Sequence, residues 1–416
     1  MSLPAVRPRL RLAGAATVLL VLAAAGSRGA EDPQAVPRPS ASAGPTTGDT
    51  PTSEAPDPEP EPPEPPEPPE PPEPRSVTVA LTGDVLVHTG VWETAERDAA
   101  AQGETLPDFA PMFADLEPLV AAADLAICHL ETPVSRPGGP YLNYPGFSAP
   151  PEVLDGLVTT GYDACTTASN HSVDTGFKGL VRTVDALDAR GLAHTGTYAE
   201  RRGAGRPLVL DVDGVRIGLI SMTYSTNGLP VTEPWSVNLM DVPRAIARAK
   251  AMHRDGVDVV MVAIHAGTEY LHEPNEQQLQ VFADLTASPY VDFVYGHHAH
   301  VVQPFDRVNG KWVLYGLGNM VAQQEPERPD TFRGIVARLT LTERPDGGFR
   351  VEDPRYAPTL ILNLTTTGAT RVLDVARVRR SSTAPPWLRL LARQAARSTD
   401  TVMARPGVHR LTADGS

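Results

Sequence analysis

The sequence predicts an α/β protein with a mainly parallel sheet, which later hairpins extend or accompany as a second sheet. Two observations predict this class. From Ser76 onward, short apolar runs typical of strands alternate with stretches of helical periodicity. Polar residues and glycines follow most of the apolar runs, and ligands of open α/β sheets bind outside the carboxyl ends of the strands. The sequence therefore predicts both a fold class and the edge at which a site should lie.

Strands are predicted where an apolar run ends in turn residues. They cover residues 77–81, 124–130, 162–168, 208–212, 216–222, 257–264, 291–295, 311–315 and 334–341. The Asp213-Gly214 pair predicts a hairpin between the fourth and fifth strands, and the last two strands are expected to be antiparallel. Helices are predicted over residues 177–190, 242–255 and 275–287.

The N-terminal residues predict export from the cytoplasm. Arg7, Arg9 and Arg11 precede an uncharged apolar run over residues 12–25, which is shorter than the ~20 apolar residues that span a bilayer. Residues 1–30 are therefore predicted to be a signal peptide, the alternative being an uncleaved N-terminal anchor. Either form puts the remainder in an extracytoplasmic location, secreted or anchored to the outer face of the cytoplasmic membrane.

Residues 31–75 are predicted to form a disordered stalk. Residues 51–74 contain 13 prolines and 8 acidic side chains, so this segment has no means of building an apolar core and favours extended polyproline II.

Charge is distributed unevenly along the chain. Residues 1–76 contain 6 basic and 11 acidic side chains, and residues 377–416 contain 8 arginines and 2 aspartates. With a total of −14, residues 77–376 therefore carry −15. Because phosphate backbones are bound by Lys and Arg, this acidic balance excludes nucleic acid as the expected partner.

The predicted domain covers residues 76–375, and residues 376–416 are predicted to be a basic C-terminal extension with a short amphipathic helix. That helix is expected to dock on the domain, the alternative being an anionic membrane surface. Cys128 and Cys165 each lie near the end of an apolar strand-like run, so neighbouring strands could bring them together as a disulfide, the alternative being two buried free thiols.

Carboxylate, amide and imidazole side chains follow five of the predicted strands. These residues are Asp84, Glu131, Asn170, His171, His265, His298 and His300. Such donors are the ligands of paired Mn, Fe or Zn ions, and two ions ~3.5–4 Å apart clamp a phosphoryl group and generate hydroxide near neutral pH. One histidine at a strand end is usually only hydrogen-bonded, so the metal hypothesis depends on the recurrence of these donors.

Six motifs occur in order within residues 77–325. They are Thr82-Gly83-Asp84, Leu130-Glu131-Thr132-Pro133, residues 168–176 with Asn170-His171, His265-Ala266-Gly267-Thr268-Glu269-Tyr270, Gly296-His297-His298-Ala299-His300-Val301 and Tyr315-Gly316-Leu317-Gly318-Asn319. Together they resemble the poly-γ-glutamate capsule-synthesis proteins (CapA-type) of the calcineurin-like metallophosphoesterase superfamily. The chain has His129 where that family usually has Asn.

The resemblance implies a metallophosphatase-like sandwich of mixed β-sheets flanked by helices, with two divalent ions. It also implies a role for individual residues. The metal ligands would be Asp84, Glu131, Asn170, His265, His298 and His300; His171 would be the general acid, with Asp174 orienting it; and Glu269, Tyr270 and Asn319 would contact substrate.

Two functions follow from these expectations. The first is an extracytoplasmic hydrolase of a phosphoester or amide, acting in synthesis, export or anchoring of a poly-γ-glutamate-type polymer. The expected partners are that polymer or its phosphorylated precursor, together with membrane-bound polymer-synthesis proteins. The alternative is a non-catalytic, metal-stabilised component that binds the polymer or takes part in assembly.

Overall fold

Two mixed β-sheets form the centre of the structure, a computed structural model that describes residues 73–411. The predicted leader and almost all of the predicted stalk lie outside the described residues. The strands are β1 Ser76–Val85, β2 Leu125–Leu130, β3 Ala164–Thr166, β4 Ala193–Thr195, β5 Leu208–Val212, β6 Val215–Thr223, β7 Val259–His265, β8 Phe293–His297, β9 Val302–Val308, β10 Lys311–Leu317, β11 Asn319–Val321, β12 Arg333–Glu343, β13 Phe349–Leu362, β14 Arg371–Asp374 and β15 His409–Arg410.

Helices follow many of the strands. They are α1 Thr89–Ala101, α2 Ala110–Phe113, α3 Glu117–Val120, α4 Val153–Thr160, α5 Gly176–Ala189, α6 Arg201–Ala204, α7 Val242–Arg254, α8 Glu276–Ala287, α9 Leu364–Thr367, α10 Val375–Arg380 and α11 Pro386–Val402, and a 3-10 turn covers Pro329–Phe332. Local signals define their starts: Asp241 accepts a hydrogen bond from the Arg244 backbone N, and Asn275 forms a capping box with Gln278. None of the helices within residues 73–411 is long and apolar enough to cross a bilayer.

Each sheet contains a parallel centre with antiparallel strands at its side. The first has the order β14-β13-β12-β1-β2-β3-β4, with β11 beside β1 and β15 beside β13; the second has the order β5-β6-β7-β8-β10-β9. β1 to β4 run parallel, as do β6, β7, β8 and β10. The predicted α/β class, with mixed sheets flanked by helices, is confirmed.

Apolar side chains hold the two sheets face to face. One core cluster joins β1 and β2, through residues such as Val79 and Ile127, to β6, β7 and β8, through Leu219, Met261 and Phe293. A second cluster lies between the first sheet and α1, α2 and α4, and a third lies between the second sheet and α7 and α8. Strands that are buried on both faces read as continuous apolar runs, which explains the pattern of β7.

Glycines permit the closest backbone approaches at the ends of the central strands. A Cβ on Gly83 would lie 1.8 Å from the Gly318 carbonyl oxygen, and a Cβ on Gly296 would lie 2.0 Å from that of Tyr315. Only glycine fits at these positions. Both approaches lie beside residues predicted to form the site.

Two predictions about the later strands need qualification. The predicted strands at 311–315 and 334–341 do not pair with each other: β10 pairs with β8 and β9 in one sheet, whereas β12 pairs with β1 and β13 in the other. Later hairpins thus both extend the first sheet and complete the second.

Cys128 and Cys165 are opposite each other on β2 and β3 and form a disulfide.

The C-terminal elements pack on the first sheet. α11 buries Ala392, Ala395 and Ala396 against Leu360 and Val378, and β15 pairs with β13. The docked position expected for the C-terminal helix is the one observed.

Candidate metal centre

The predicted site residues converge where the carboxyl ends of parallel strands from both sheets meet. Asp84 lies in β1, Glu131 follows β2 and Asn170 follows β3 in the first sheet, whereas His265 and His297 end β7 and β8 in the second. Because parallel strands all end at one edge, neighbouring strands bring these side chains together. The site is therefore built jointly by the two sheets.

Asp84 is the central carboxylate of this cluster and is 1% exposed. Its Oδ1 accepts a hydrogen bond from His297 Nδ1 at 2.8 Å. Its Oδ2 accepts from the His298 backbone N at 3.1 Å and lies 3.2 Å from His300 Nδ1. One side chain of the first sheet thus fixes the whole 297–300 loop of the second.

An unusual backbone path places the histidines of that loop. His298 and His300 have positive φ angles of 86° and 56°, as does Tyr270 at 69°, a region that side-chain-bearing residues occupy infrequently. The Tyr270 backbone N donates to the Ala299 carbonyl oxygen at 2.8 Å. Such strain persists where surrounding structure enforces it, commonly at functional sites.

A hydrogen-bonded chain links the imidazoles of the two sheets. His265 Nε2 donates to Asn170 Oδ1 at 2.8 Å, which leaves His265 Nδ1 to accept from His129 Nε2 at 2.9 Å. His129 Nδ1 then accepts from the Thr166 hydroxyl at 2.8 Å. These bonds define one consistent set of neutral tautomers.

Four buried atoms of the cluster have no hydrogen-bond partner among residues 73–411. They are Glu131 Oε1, Glu131 Oε2, His297 Nε2 and His298 Nδ1. Since an unpaired buried polar atom is costly, these atoms call for a ligand that supplies positive charge. Three groups have donor atoms within 4.8 Å of one another, namely Asp84 with His129 and His297, Asp84 with Glu131 and His300, and Glu269 with His298 and His300. Oxygen and imidazole donors at this density fit divalent transition metals.

Burial and close charges shift the two carboxylates in opposite directions. Burial raises the pKa of Glu131 well above its ordinary value, with His300 opposing the shift in part. Burial acts in the same sense on Asp84, but hydrogen bonds from His297 and His300 hold the pKa of Asp84 well below its ordinary value. Glu131 thus lacks the compensation that Asp84 receives.

The pKa values of the clustered histidines are also shifted in opposite directions. Burial lowers the pKa of His129 and His265 well below the usual range, and burial together with His300 lowers that of His298 to about 4. Burial would also lower the pKa of His300, but Glu131 and Asp84 raise it to about 9. Neutral imidazole is the form that binds a metal.

His171 lies beside the cluster and is positioned by a carboxylate. Its Nδ1 lies 2.7 Å from Asp174 Oδ2, which also accepts from the Phe147 backbone N at 2.7 Å. The Phe147 ring packs edge-on against the imidazole, with centroids 4.8 Å apart. His171 is 7% exposed, so its fixed imidazole lies near the surface of the site, and within residues 73–411 only Nδ1 of the ring has a hydrogen-bond partner.

The three residues expected to contact substrate have different environments. Glu269 and Tyr270 are half-buried on the loop after β7, and the Arg328 guanidinium lies 3.9 Å from the Tyr270 ring centre. Asn319 is 0% exposed; its Oδ1 lies 3.0 Å from His300 Nδ1, and its Nδ2 donates to the Thr331 carbonyl oxygen at 2.9 Å. The contacts of Asn319 therefore suit a residue that orients His300 better than one that contacts a substrate.

Two histidines in the cluster were absent from the predicted ligand set. His129 replaces the Asn usual in the CapA-type family, and its position before Leu130-Glu131 was the available signal. His297 is the first of three histidines in five residues, and the sequence alone does not separate it from His298. The structure brings all of them together.

Comparison with solved structures gives weak likenesses. The 5′-nucleotidase precursor of Thermus thermophilus is 17% identical, with a TM-score of 0.42 over 79% of this chain and 59% of that one. A calcineurin-like phosphoesterase of Bacillus subtilis is 15% identical, with a TM-score of 0.38 over 78% of this chain and 98% of the other. At such scores neither likeness bears on the chemistry of the site.

Sequence relatives are more informative. The capsule biosynthesis protein CapA of Bacillus anthracis is 28% identical over 182 residues, 42% of this chain and 44% of that protein, so the match spans less than half of that relative. The PGA biosynthesis protein CapA of Bacillus subtilis is 25% identical over 66% of this chain and 70% of its own length. A probable polyglutamine synthesis accessory protein of Mycobacterium tuberculosis is 26% identical over 64% of this chain and 71% of its own.

A family model covers the part of the chain that carries the cluster. The model described as bacterial capsule synthesis protein PGA_cap matches residues 78–324, from β1 to just beyond β11. The chain therefore belongs to the bacterial capsule synthesis protein family.

Proposed function

We propose that this protein is an extracytoplasmic metal-dependent hydrolase that acts on a poly-γ-glutamate-type envelope polymer, or on its phosphorylated precursor, during synthesis, export or anchoring. One observation carries the proposal: buried, unpartnered Glu131, His297 and His298 atoms lie beside the fixed His171–Asp174 pair. Membership of the capsule synthesis family supports a poly-γ-glutamate-type polymer as the substrate. The arginines and the apolar run of residues 7–25 support the extracytoplasmic location.

The chain's own residues divide the work. Asp84, Glu131 and the clustered histidines would hold two divalent ions, with Asp84 shared between two of the donor groups. Such ions lower the pKa of water and stabilise charge on a phosphoryl or carbonyl oxygen. Burial of the donors excludes bulk water and so strengthens every electrostatic interaction in the site.

His171 would move the proton in this mechanism. Asp174 occupies Nδ1, so the proton to be transferred is the one on Nε2. That proton passes to the leaving oxygen, or to the leaving nitrogen of an amide, as its bond to the substrate breaks. Phe147 fixes both members of the pair, which keeps the imidazole in one orientation.

The non-catalytic alternative is favoured by the depth of the donors. Asp84, Glu131, His265 and His300 are at most 4% exposed, as expected for ions that stabilise a fold. The same depth would suit a component that binds the polymer or assembles with membrane-bound synthesis proteins.

Metal content and hydrolysis, measured together on the full chain, test the proposal. We expect about two equivalents of transition metal, loss of metal in Asp84→Ala/His265→Ala, and turnover of a phosphomonoester or γ-glutamyl amide. His171→Ala should retain metal and lose turnover. His194→Ala is the matched control, because His194 also pairs with an aspartate, Asp188, at 3.1 Å but lies outside the cluster. Metal binding with no turnover of either substrate class would leave the non-catalytic alternative in front.

A further inference from the structure

The outer side of α11 exposes the helix's largest apolar side chains. Its inner side is built from small residues, with Ala392, Ala395 and Ala396 buried. Trp387 and Leu390 are each 49% exposed, and Leu391 is 36% exposed. The helix thus docks through alanines and the partly buried Leu388 and leaves Trp387, Leu390 and Leu391 largely in solvent, an arrangement that normally marks an interaction surface.

An apolar groove continues this surface. A cavity of about 590 Å³ lies between α11 and the end of β13, where Trp387 and Leu391 face Phe332, Pro329, Leu360 and Leu362. The groove and the exposed side chains of α11 together form one continuous apolar face.

Exposed arginines lie beside the face. Arg393 and Arg397 on α11 and Arg379 on the adjoining α10 are exposed and have no acidic partner among residues 73–411. Leu390, Arg393 and Arg397 follow at helical spacings of three and four, so they form a row beside Trp387 and Leu391.

We infer that this C-terminal face binds an anionic lipid bilayer, with Trp387, Leu390 and Leu391 entering the headgroup region and the groove accepting acyl chains. A helix with arginines beside Trp and Leu is the pattern of an interfacial membrane helix. Charge complementarity favours a bilayer in one orientation: residues 377–416 carry 8 arginines against 2 aspartates, whereas residues 77–376 carry −15. Of those arginines, Arg377 and Arg410 pair with Asp115 and Asp400, which leaves most of the basic charge of this segment for an external anion. An anionic surface therefore attracts this face and repels the rest of the domain.

This orientation would also place the metal centre beside the membrane. Pro326 and Pro329 line the groove, and between them Arg328 stacks on Tyr270, the neighbour of the 297–300 loop. Membrane binding does not depend on hydrolysis, so it can be tested whether or not the protein is an enzyme.

Quenching of tryptophan fluorescence by brominated lipids tests the inference on the full chain. The protein has four tryptophans, all at or after Trp92, so binding of the N-terminal apolar run alone places no tryptophan in the lipid. We expect quenching by brominated phosphatidylglycerol vesicles that exceeds the quenching of Trp387→Phe. Since each arginine near an anionic surface contributes about fivefold to the partition coefficient, Arg393→Glu/Arg397→Glu should lower the partition coefficient measured from the Trp387-dependent quenching at least about 30-fold.

Arg201→Glu/Arg244→Glu is the control, because these exposed arginines on α6 and α7 give the same change in net charge on the side of the second sheet. The tryptophan fluorescence of this control variant should be quenched by the brominated vesicles to the same extent as that of the wild type. Equal quenching by phosphatidylcholine, an equal loss in the control, or no Trp387-dependent quenching would each overturn the inference. Absence of quenching together with a dimer that Leu390→Ser/Leu391→Ser abolishes would assign the face to a second copy of the chain instead.

Discussion

Replacing Glu131 with Gln should separate the role of this residue in metal binding from its role in the fold. Both carboxylate oxygens are buried without a partner, and burial raises the pKa of the carboxyl group well above its ordinary value. Without metal, burial therefore favours the protonated, neutral form of the Glu131 carboxyl group in the folded state. The glutamine amide has nearly the same shape as that neutral carboxyl group. We therefore expect Glu131→Gln to change the metal-free free energy of unfolding by less than about 1 kcal/mol.

With metal the same substitution should be costly. A ligand present at a hundredfold excess over its Kd stabilises the folded state by about 2.7 kcal/mol, which for a domain of about 300 residues corresponds to a rise in Tm of about 4 °C. The substitution removes the negative charge of Glu131 and replaces one of its two oxygens with an amide nitrogen, which should remove at least half of that rise. The measurement is thermal unfolding by circular dichroism, after EDTA treatment and after addition of Mn²⁺ or Zn²⁺.

Glu152→Gln provides the matched control. Glu152 is also buried, its Oε2 also has no hydrogen-bond partner, and burial raises its pKa, but it belongs to none of the donor groups. Its substitution should leave the metal-induced rise intact. A full rise in Glu131→Gln, or an equal loss of stability with and without metal, would refute the metal-ligand assignment.

Three further predictions concern the surroundings of the centre. His88 accepts a hydrogen bond from a backbone N, and burial lowers its pKa to about 4. Its contribution to the free energy of unfolding is therefore present above pH 6.5 and is lost as the pH falls towards 4. In urea unfolding between pH 7.5 and 5.5, the free energy of unfolding of the wild type should fall by about 1.3 kcal/mol more than that of His88→Gln. Asp174→Asn should lower turnover about 10²-fold at unchanged metal content, because the neutral amide no longer stabilises the His171 imidazolium. Initial rates and elemental analysis measure the two effects, and loss of metal together with turnover would contradict this role. Cys128→Ala/Cys165→Ala removes a crosslink of sequence separation 37 and should lower the free energy of unfolding by about 4 kcal/mol, whereas a change below about 1 kcal/mol in non-reducing urea unfolding would show the bond to be dispensable.

Much of the site was predictable because strand ends leave a local signal. Asp84, Glu131, Asn170 and His265 each follow an apolar run, and the parallel arrangement brings such positions to one edge. No long-range knowledge is needed for that step. The same local pattern located β7 and α8 to within a few residues.

The arrangement within the 297–300 loop was not predictable. The orientation of these histidines follows from the positive φ angles of His298 and His300. Between these two residues, the Ala299 carbonyl oxygen accepts a hydrogen bond from the Tyr270 backbone N, which lies 29 residues earlier in the sequence. A pattern that reads neighbours along the chain contains no information on such a bond.

The longest strand was missed for a different reason. β13 covers Phe349–Leu362 and contains Pro354 and Pro358, which argue against a strand between two others because proline donates no ladder hydrogen bond. Here β12 and β14 flank it, and the ladder accommodates Pro358 opposite Ile335. Tertiary packing outweighs the local preference.

The candidate metal centre lies at the polar end of the interface between the two sheets. Along most of that interface the contacts are apolar and non-directional, as with Val79 and Met261 in the shared core. At the carboxyl ends they become directional: Asp84 of the first sheet binds His297 of the second, and His129 binds His265. Ions held there would join the same two sheets, so metal binding and sheet packing stabilise each other, and loss of either should open the interface first at its polar end.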